Sequence, residues 1–127
     1  MAGPINKVSM AFVADAATQE NLVAVQGAAD GSVKLPAGNY ADGIVGIIRE
    51  ARAAGQFVSV LLDGIEYVKA SGTCTRGQKA VVMADGGVQN APATGTPTQY
   101  PFLGQFLESG SSSNLVLVQI SKGYVTQ

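Results

Sequence analysis

From residue 21 onward, turn residues cut this chain into short apolar pieces, and that punctuation constrains its fold more than any other feature. Asp30-Gly31, Ala37-Gly38-Asn39, Asp42-Gly43, Asp63-Gly64, Ser71-Gly72 and Asp85-Gly86-Gly87 separate the pieces. Turn signals spaced by about 8–12 residues predict an all-β sandwich or barrel. One hairpin is expected to be sharp. Phe57-Val-Ser-Val-Leu-Leu62 and Ile65-Glu-Tyr-Val68 flank Asp63-Gly64, a dipeptide suited to the positive φ angles of a two-residue turn. Residues 1–20 are polar and small apart from one apolar stretch at 8–13. They predict an extended N-terminal arm with a short strand, leaving 21–127 as a single β-domain.

The chain also matches itself. Ala29-Asp-Gly-Ser-Val33 aligns with Ala84-Asp-Gly-Gly-Val88, Gly46-Ile-Ile-Arg-Glu50 with Gly104-Gln-Phe-Leu-Glu108, and Val58-Ser-Val-Leu-Leu62 with Val116-Leu-Val-Gln-Ile120. Two copies of a strand–turn–strand unit would produce this pattern; coincidence among Gly- and Val-rich segments is the alternative. The repeat bears on residues 44–54. Ile44, Ile47, Ile48 and Ala51 fall at helical spacing. However, Gly43 and Gly46 would each cost ~1 kcal/mol inside a helix, and the matching Pro101-Phe-Leu-Gly-Gln-Phe-Leu suits a strand. Strand is the preferred reading, with a short helix over 47–54 as the alternative. Segments 71–77 and 91–100 read as loops, and Ser109-Gly-Ser-Ser-Ser113 as a turn that burial does not order.

Composition bounds the chemistry. A length of 127 residues suits one compact domain. With 46% hydrophobic residues there is enough apolar side chain for a core without disulfides. A net charge of −1 and no basic run argue against a nucleic-acid partner. No continuous apolar stretch reaches membrane-spanning length, so no membrane partner is expected. No apolar core of a signal peptide stands at the N-terminus, so synthesis in a cytoplasm is expected. The sequence has no histidine and no tryptophan, and Cys74 is its single cysteine.

Those absences shape the functional reading. A nucleophilic triad lacks its usual base, and nothing but Arg76 stands close in sequence to activate Cys74. Asp30, Asp42, Asp63 and Asp85 each precede glycine, where turn geometry accounts for them. Glu50 and Glu108 occupy matching repeat positions and are read as solvated strand ends rather than a catalytic pair. Alternating acidic ligands of a calcium loop and glycine-rich phosphate cradles are absent. The chain is therefore expected to be non-enzymatic, with no cofactor and no metal site. Phe57, Phe102 and Phe106 are assigned to the core. Tyr40, Tyr100 and Tyr124 lie by loops or the C-terminus, where tyrosine suits contact surfaces.

One series of segments carries a family resemblance. Gly-Ile-Val-Gly-Ile-Ile48 leads through Ala-Arg-Ala-Ala-Gly55 into Gln-Phe-Val-Ser-Val60. Asp63-Gly64, Val68-Lys-Ala-Ser-Gly72, Thr75-Arg-Gly-Gln-Lys-Ala-Val-Val82 and Asp85-Gly-Gly-Val88 follow. This pattern resembles the capsid decoration, or cement, proteins of tailed phages over roughly residues 21–120. The resemblance implies a small β-barrel or β-sandwich on the outer capsid surface of a virion. It implies the major capsid protein as partner, a homotrimer as the assembly, and contacts that stabilise neighbouring capsomers. A fibre-base or tail component is the alternative virion reading, and a carboxylate-based ligand-binding or hydrolytic β-domain a third. Expected contact residues are Pro4, Ile5, Val8, Met10 and Phe12 in the arm, with Tyr40 and Tyr100 in the domain.

Overall fold

The structure, a computed structural model, describes residues 5–92, 97 and 99–126, with side chains from residue 8 onward. Among these residues nine strands form and no helix does. They are β1 (Ile5–Ala14), β2 (Val23–Gln26), β3 (Ser32–Lys34), β4 (Ile44–Ile48), β5 (Phe57–Lys69), β6 (Lys79–Val82), β7 (Val88–Asn90), β8 (Gln99–Phe106) and β9 (Leu115–Thr126). Their order in the sheet is β1-β3-β2-β4-β5-β9-β8-β6-β7, and β1 also pairs with β5. That extra pairing closes β1, β3, β2, β4 and β5 into a five-stranded barrel. The expected all-β barrel is what the chain forms, and the 44–54 segment is strand over Ile44–Ile48.

The weak sequence repeat is a full structural duplication. Strand pairs in residues 9–62 (unit 1) recur, register for register, in residues 65–120 (unit 2). Phe12↔Val58 in β1–β5 matches Val68↔Val116 in β5–β9. Ile47↔Leu61 matches Gln105↔Gln119. Ala24↔Gly46 matches Ala80↔Gly104, and Val25↔Lys34 matches Val81↔Gln89. The parallel closure Ala14↔Val33 returns as the single parallel bridge Ala70↔Val88. Loops follow suit: Thr18 N donates to Arg52 O at 2.9 Å, and Cys74 N to Gly110 O at 2.9 Å. Two glycines are required by this geometry. A Cβ on Gly46 would collide with the Leu61 carbonyl oxygen, and one on Gly104 with that of Gln119.

The duplication overturns the expected hairpin at Asp63-Gly64. Residues 57–69 form one continuous strand, β5. Its first half is the last strand of unit 1, pairing with β1 and β4; its second half is the first strand of unit 2, pairing with β9. Gly64, at φ +132°, bends the strand where it passes between units. The Asp–Gly pair supplies turn chemistry, yet each half already has its own partners, so a hairpin would leave both units without a wall. The segment read as an arm, 1–20, contributes β1, paired with β5 from Ile5↔Ile65 to Val13↔Phe57.

Alternation along the strands sets the cores. Ala14, Ala24, Val33, Ile48, Val58 and Val60 fill unit 1. Unit 2 is filled by a larger cluster that includes Val68, Val82, Leu103, Phe106, Val116 and Ile120. Phe57 is 68% exposed, which corrects its assignment to the core. Val58 and Val60 take the inward positions, so Phe57 on the same strand points out.

Candidate functional site

Acidic and sulfur groups are absorbed by the fold. Glu50 Oε1 accepts a hydrogen bond from Ser59 N at 3.1 Å, and Glu108 Oε1 accepts from the matching Leu117 N at 3.3 Å. Each carboxylate thus ties the end of one strand to the next. The Ser59 bond and the Arg52 guanidinium, 2.7 Å from Glu50 Oε2, hold the Glu50 carboxyl below its usual range. Cys74 is buried with Sγ 3.5 Å from Val88 O, and burial pushes its thiol up to about 11. The thiolate is therefore scarce at neutral pH. No cluster of three or more His, Cys, Asp or Glu side chains suited to a metal occurs among the described residues. The 109–113 turn is held by hydrogen bonds rather than burial: Ser111 N donates to Asn114 Oδ1 at 3.1 Å, and Arg76 N to Ser109 Oγ at 3.0 Å.

The expected contact residues separate into two places. Pro4 lies outside the described residues, and Ile5 is placed by its backbone pairing with Ile65. Val8 and Met10 are 46% and 53% exposed on β1. Phe12 is half-buried at the end of the unit 1 core. Tyr40 and Tyr100 lie elsewhere, against Val81 and Met83. Tyr100 is only 5% exposed, so its ring belongs to the interior rather than to a contact surface. It is the second residue of β8, which starts at Gln99, inside the 91–100 segment read as a loop.

Phe12 borders a cleft of about 470 Å³ at the open end of unit 1. Val45 and Leu62, both half-buried, and Ile44 line it, with the 26–32 turn along one rim. Lys122 reaches across from β9, its Nζ donating to Val45 O at 2.7 Å. Burial lowers the Lys122 amine below its usual value, and Asp63 opposes that shift. The lining combines half-buried Phe12, Val45 and Leu62 with the polar groups of the 26–32 turn, Asp30 and Ser32 among them, and the Lys122 amine.

In unit 2 the same end is closed. Val68, Leu103 and Ile120 replace Phe12, Val45 and Leu62, and all three are buried. The cover comes from unit 1. Val23, Ile47 and Leu61 point out of unit 1 and join the unit 2 core, and Ala41 and Ile44 pack against it. Backbone bonds pin the cover: Val23 N donates to Gly86 O at 2.8 Å and Ala41 N to Val82 O at 3.1 Å. Leu22 Cβ lies 3.2 Å from where a Cβ would stand on Gly86, whereas nothing lies within 4 Å of that point on the matching Gly31. At unit 2's own outward positions stand Lys79, Gln105 and Gln119, all exposed.

Sequence reasoning missed Val45, Leu62, Lys122 and the exposed pair Phe57 and Leu115. The repeat held the signal for most of them. Aligning unit 1 on unit 2 sets apolar residues against polar ones at positions 23, 47 and 61, and shows Phe57 and Leu115 as counterparts. Each of these two is more than half exposed.

No protein-family model and no curated protein matches the sequence. A solved structure does resemble the fold. It is the crystal structure of the N base of the head fiber gp8.5 of bacteriophage phi29, matching 90% of this chain and 93% of that one at a TM-score of 0.64 and 17% identity. At that identity the likeness establishes a shared fold, and it spans both units.

Proposed function

We propose that this protein is a structural component of a tailed-phage virion, seated on the head surface as the base of a fibre or similar projection. The observation that carries this reading is the near end-to-end fold match to a phage head-fibre base. The absence of any histidine agrees with a binding role. So does the use of Glu50 and Glu108 as strand ties, because both leave the chain little with which to catalyse. The partner in this reading is the major capsid protein. A homotrimer suits it, because three weak contacts held together gain strongly through effective concentration. Co-sedimentation with undecorated capsids tests the proposal: stoichiometric, saturable binding is expected, and no binding to capsids from the same source would sink it.

Capsid decoration in the cement sense is a second reading, favoured by the sequence segments from 43 to 88. The two differ in copy number. A cement protein occupies equivalent sites over the whole head and raises the temperature at which capsids burst. A fibre base occupies its sites without that effect. Counting copies per head by quantitative mass spectrometry, alongside capsid melting, separates them. Solution mass then distinguishes trimer from monomer.

A further inference from the structure

We infer that the outer edge of β1 is a self-association surface, covered by a second copy of this chain, β1 against β1, antiparallel about a two-fold axis. The inference does not rest on the head-surface reading, and its two-fold contact is separate from the three-fold one of a homotrimer.

The first strand of each unit has two edges. One pairs with the fifth strand of its own unit: β1 with β5, and residues 65–69 of β5 with β9. The units differ at the other edge. Ile65 pairs with Gln119 on one side and with Ile5 on the other. Residues 61–65 therefore receive β1 along the edge that faces away from β9. By the alignment that sets Phe12 on Val68, these residues are the counterparts of 5–9. The pairs Ile5↔Ile65 and Ser9↔Leu61 thus set each end of one segment against the opposite end of its counterpart. Within the chain, what covers this edge of a first strand is another first strand, antiparallel.

In unit 1 the same edge is bare. Along it β1 pairs only with β3, at Val13 and Ala14. Val13 N donates to Gly31 O there, so by alternation the N–H and C=O groups of Ser9 and Ala11 turn the same way. Among the described residues no backbone group meets them. A bare strand edge is a ready site for another strand. The side chains agree. Val8 and Met10 are apolar and exposed, whereas their counterparts in unit 2 are Gly64 and Glu66. At the matching positions 61 and 119 the covered member is Leu and the exposed one Gln. Val8 and Met10 break that rule in a single chain and obey it in a pair. A second copy brings the kind of strand that unit 2 already accepts here, with its own edge equally bare, so one contact serves both copies.

With one strand a side the contact is small, and a dissociation constant on the order of 100 μM is expected. Sedimentation equilibrium of the full chain up to about 1 mM should show reversible association in twos, of monomers or of trimers. Ala11→Pro removes an N–H that the chain itself leaves unused and should abolish it. Met10→Lys, at an exposed position, sets like charges near each other across the axis and should weaken it about tenfold. Leu115→Lys, exposed on β9, should leave it unchanged. Melting of dilute samples checks folding, and M10K carries the test if A11P disturbs the strand. Val8→Cys then locates the contact. Cys74 is buried, so the introduced thiol is the accessible one and cannot cross-link within its own chain. A bis-maleimide of about 13 Å spans four residues of strand; it should join V8C into dimers and leave Leu115→Cys monomeric. No association at the highest concentration, full association in M10K, or no cross-link in V8C overturns the inference. A trimer that V8C does not cross-link overturns it too and leaves the homotrimer standing. A V8C dimer in a protein that ignores capsids upholds it and removes the head-surface reading.

Discussion

Units 1 and 2 share their strand order and the registers of their core pairings but differ in what their outward faces meet. Unit 1 turns Val23, Ile47 and Leu61 toward its neighbour, and all three are fully buried. Unit 2 turns Lys79, Gln105 and Gln119 toward solvent, with the Lys79 ammonium 5.6 Å from the Phe102 ring centroid. Burial of the three aliphatics contributes roughly 1.5–3 kcal/mol each, whereas the polar face of unit 2 keeps its water. The difference teaches that the backbone pattern is set by bends, ties and glycines common to both copies. The sign of each face, apolar or polar, was set separately by what covers it. The same logic reads in reverse at the barrel ends, where unit 2 is covered and unit 1 is open.

The comparison can be broken most directly at its faces. Leu61→Gln buries an amide among aliphatics and should cost about 4 kcal/mol, through lost apolar packing and desolvation. Gln119→Leu, at the matching position, should change stability by no more than about 0.5 kcal/mol. Urea denaturation of the two variants measures both. Similar costs would mean that the unit 2 face is covered too.

Gly46→Ala and Gly104→Ala test what the units share. Each new methyl group would meet a backbone carbonyl of the neighbouring strand, so each variant should lose about 3 kcal/mol. Tolerance at one site alone would show that the two close approaches are not the same device.

A smaller contrast lies between Cys74 and its counterpart Thr18, whose Oγ1 donates to Glu50 O at 3.1 Å. The folded thiol holds its proton to about 11, against a usual value of 9.0. Its contribution to stability is therefore present below about pH 9 and lost as the pH rises toward 11. Chemical denaturation across that window should show a downward slope that Cys74→Thr flattens.

The smallest effect is at the acid end. The carboxyl of Glu50 is held below 4.5, so its contribution is present above that value and lost as the pH falls through the lower folded value. Melting temperatures between pH 7 and pH 3 should fall less in Glu50→Gln than in wild type.

Much of this was legible in the residues. Gly46 with Gly104 and Glu50 with Glu108 align in the sequence, and each pair does the same work in both units; the Asp–Gly turns at 30–31 and 85–86 align too and share a glycine at positive φ. The hairpin was misread because Asp63-Gly64 has the chemistry of a turn, and local chemistry does not reveal whether the flanking strands already have partners. Extending the alignment backward, so that residues 9–14 meet 65–70, exposes β5 as one strand with two memberships. Phe57 was misplaced because hydrophobicity was weighed without the alternation that puts Val58 and Val60 inside. The open cleft could not be read from unit 1 alone. Phe12, Val45 and Leu62 look like core residues until their covered counterparts are set beside them.

Because β5 is a wall of both barrels, the units are not beads on a linker. A load applied to unit 2 reaches unit 1 along thirteen residues of continuous backbone, bonded to β1 and β4 at one end and to β9 at the other. Pulled along its length, such a strand is resisted by its hydrogen bonds acting together in shear rather than opening one at a time. A projection rooted this way would hand the drag of the surrounding fluid to its anchor without a hinge at which to yield.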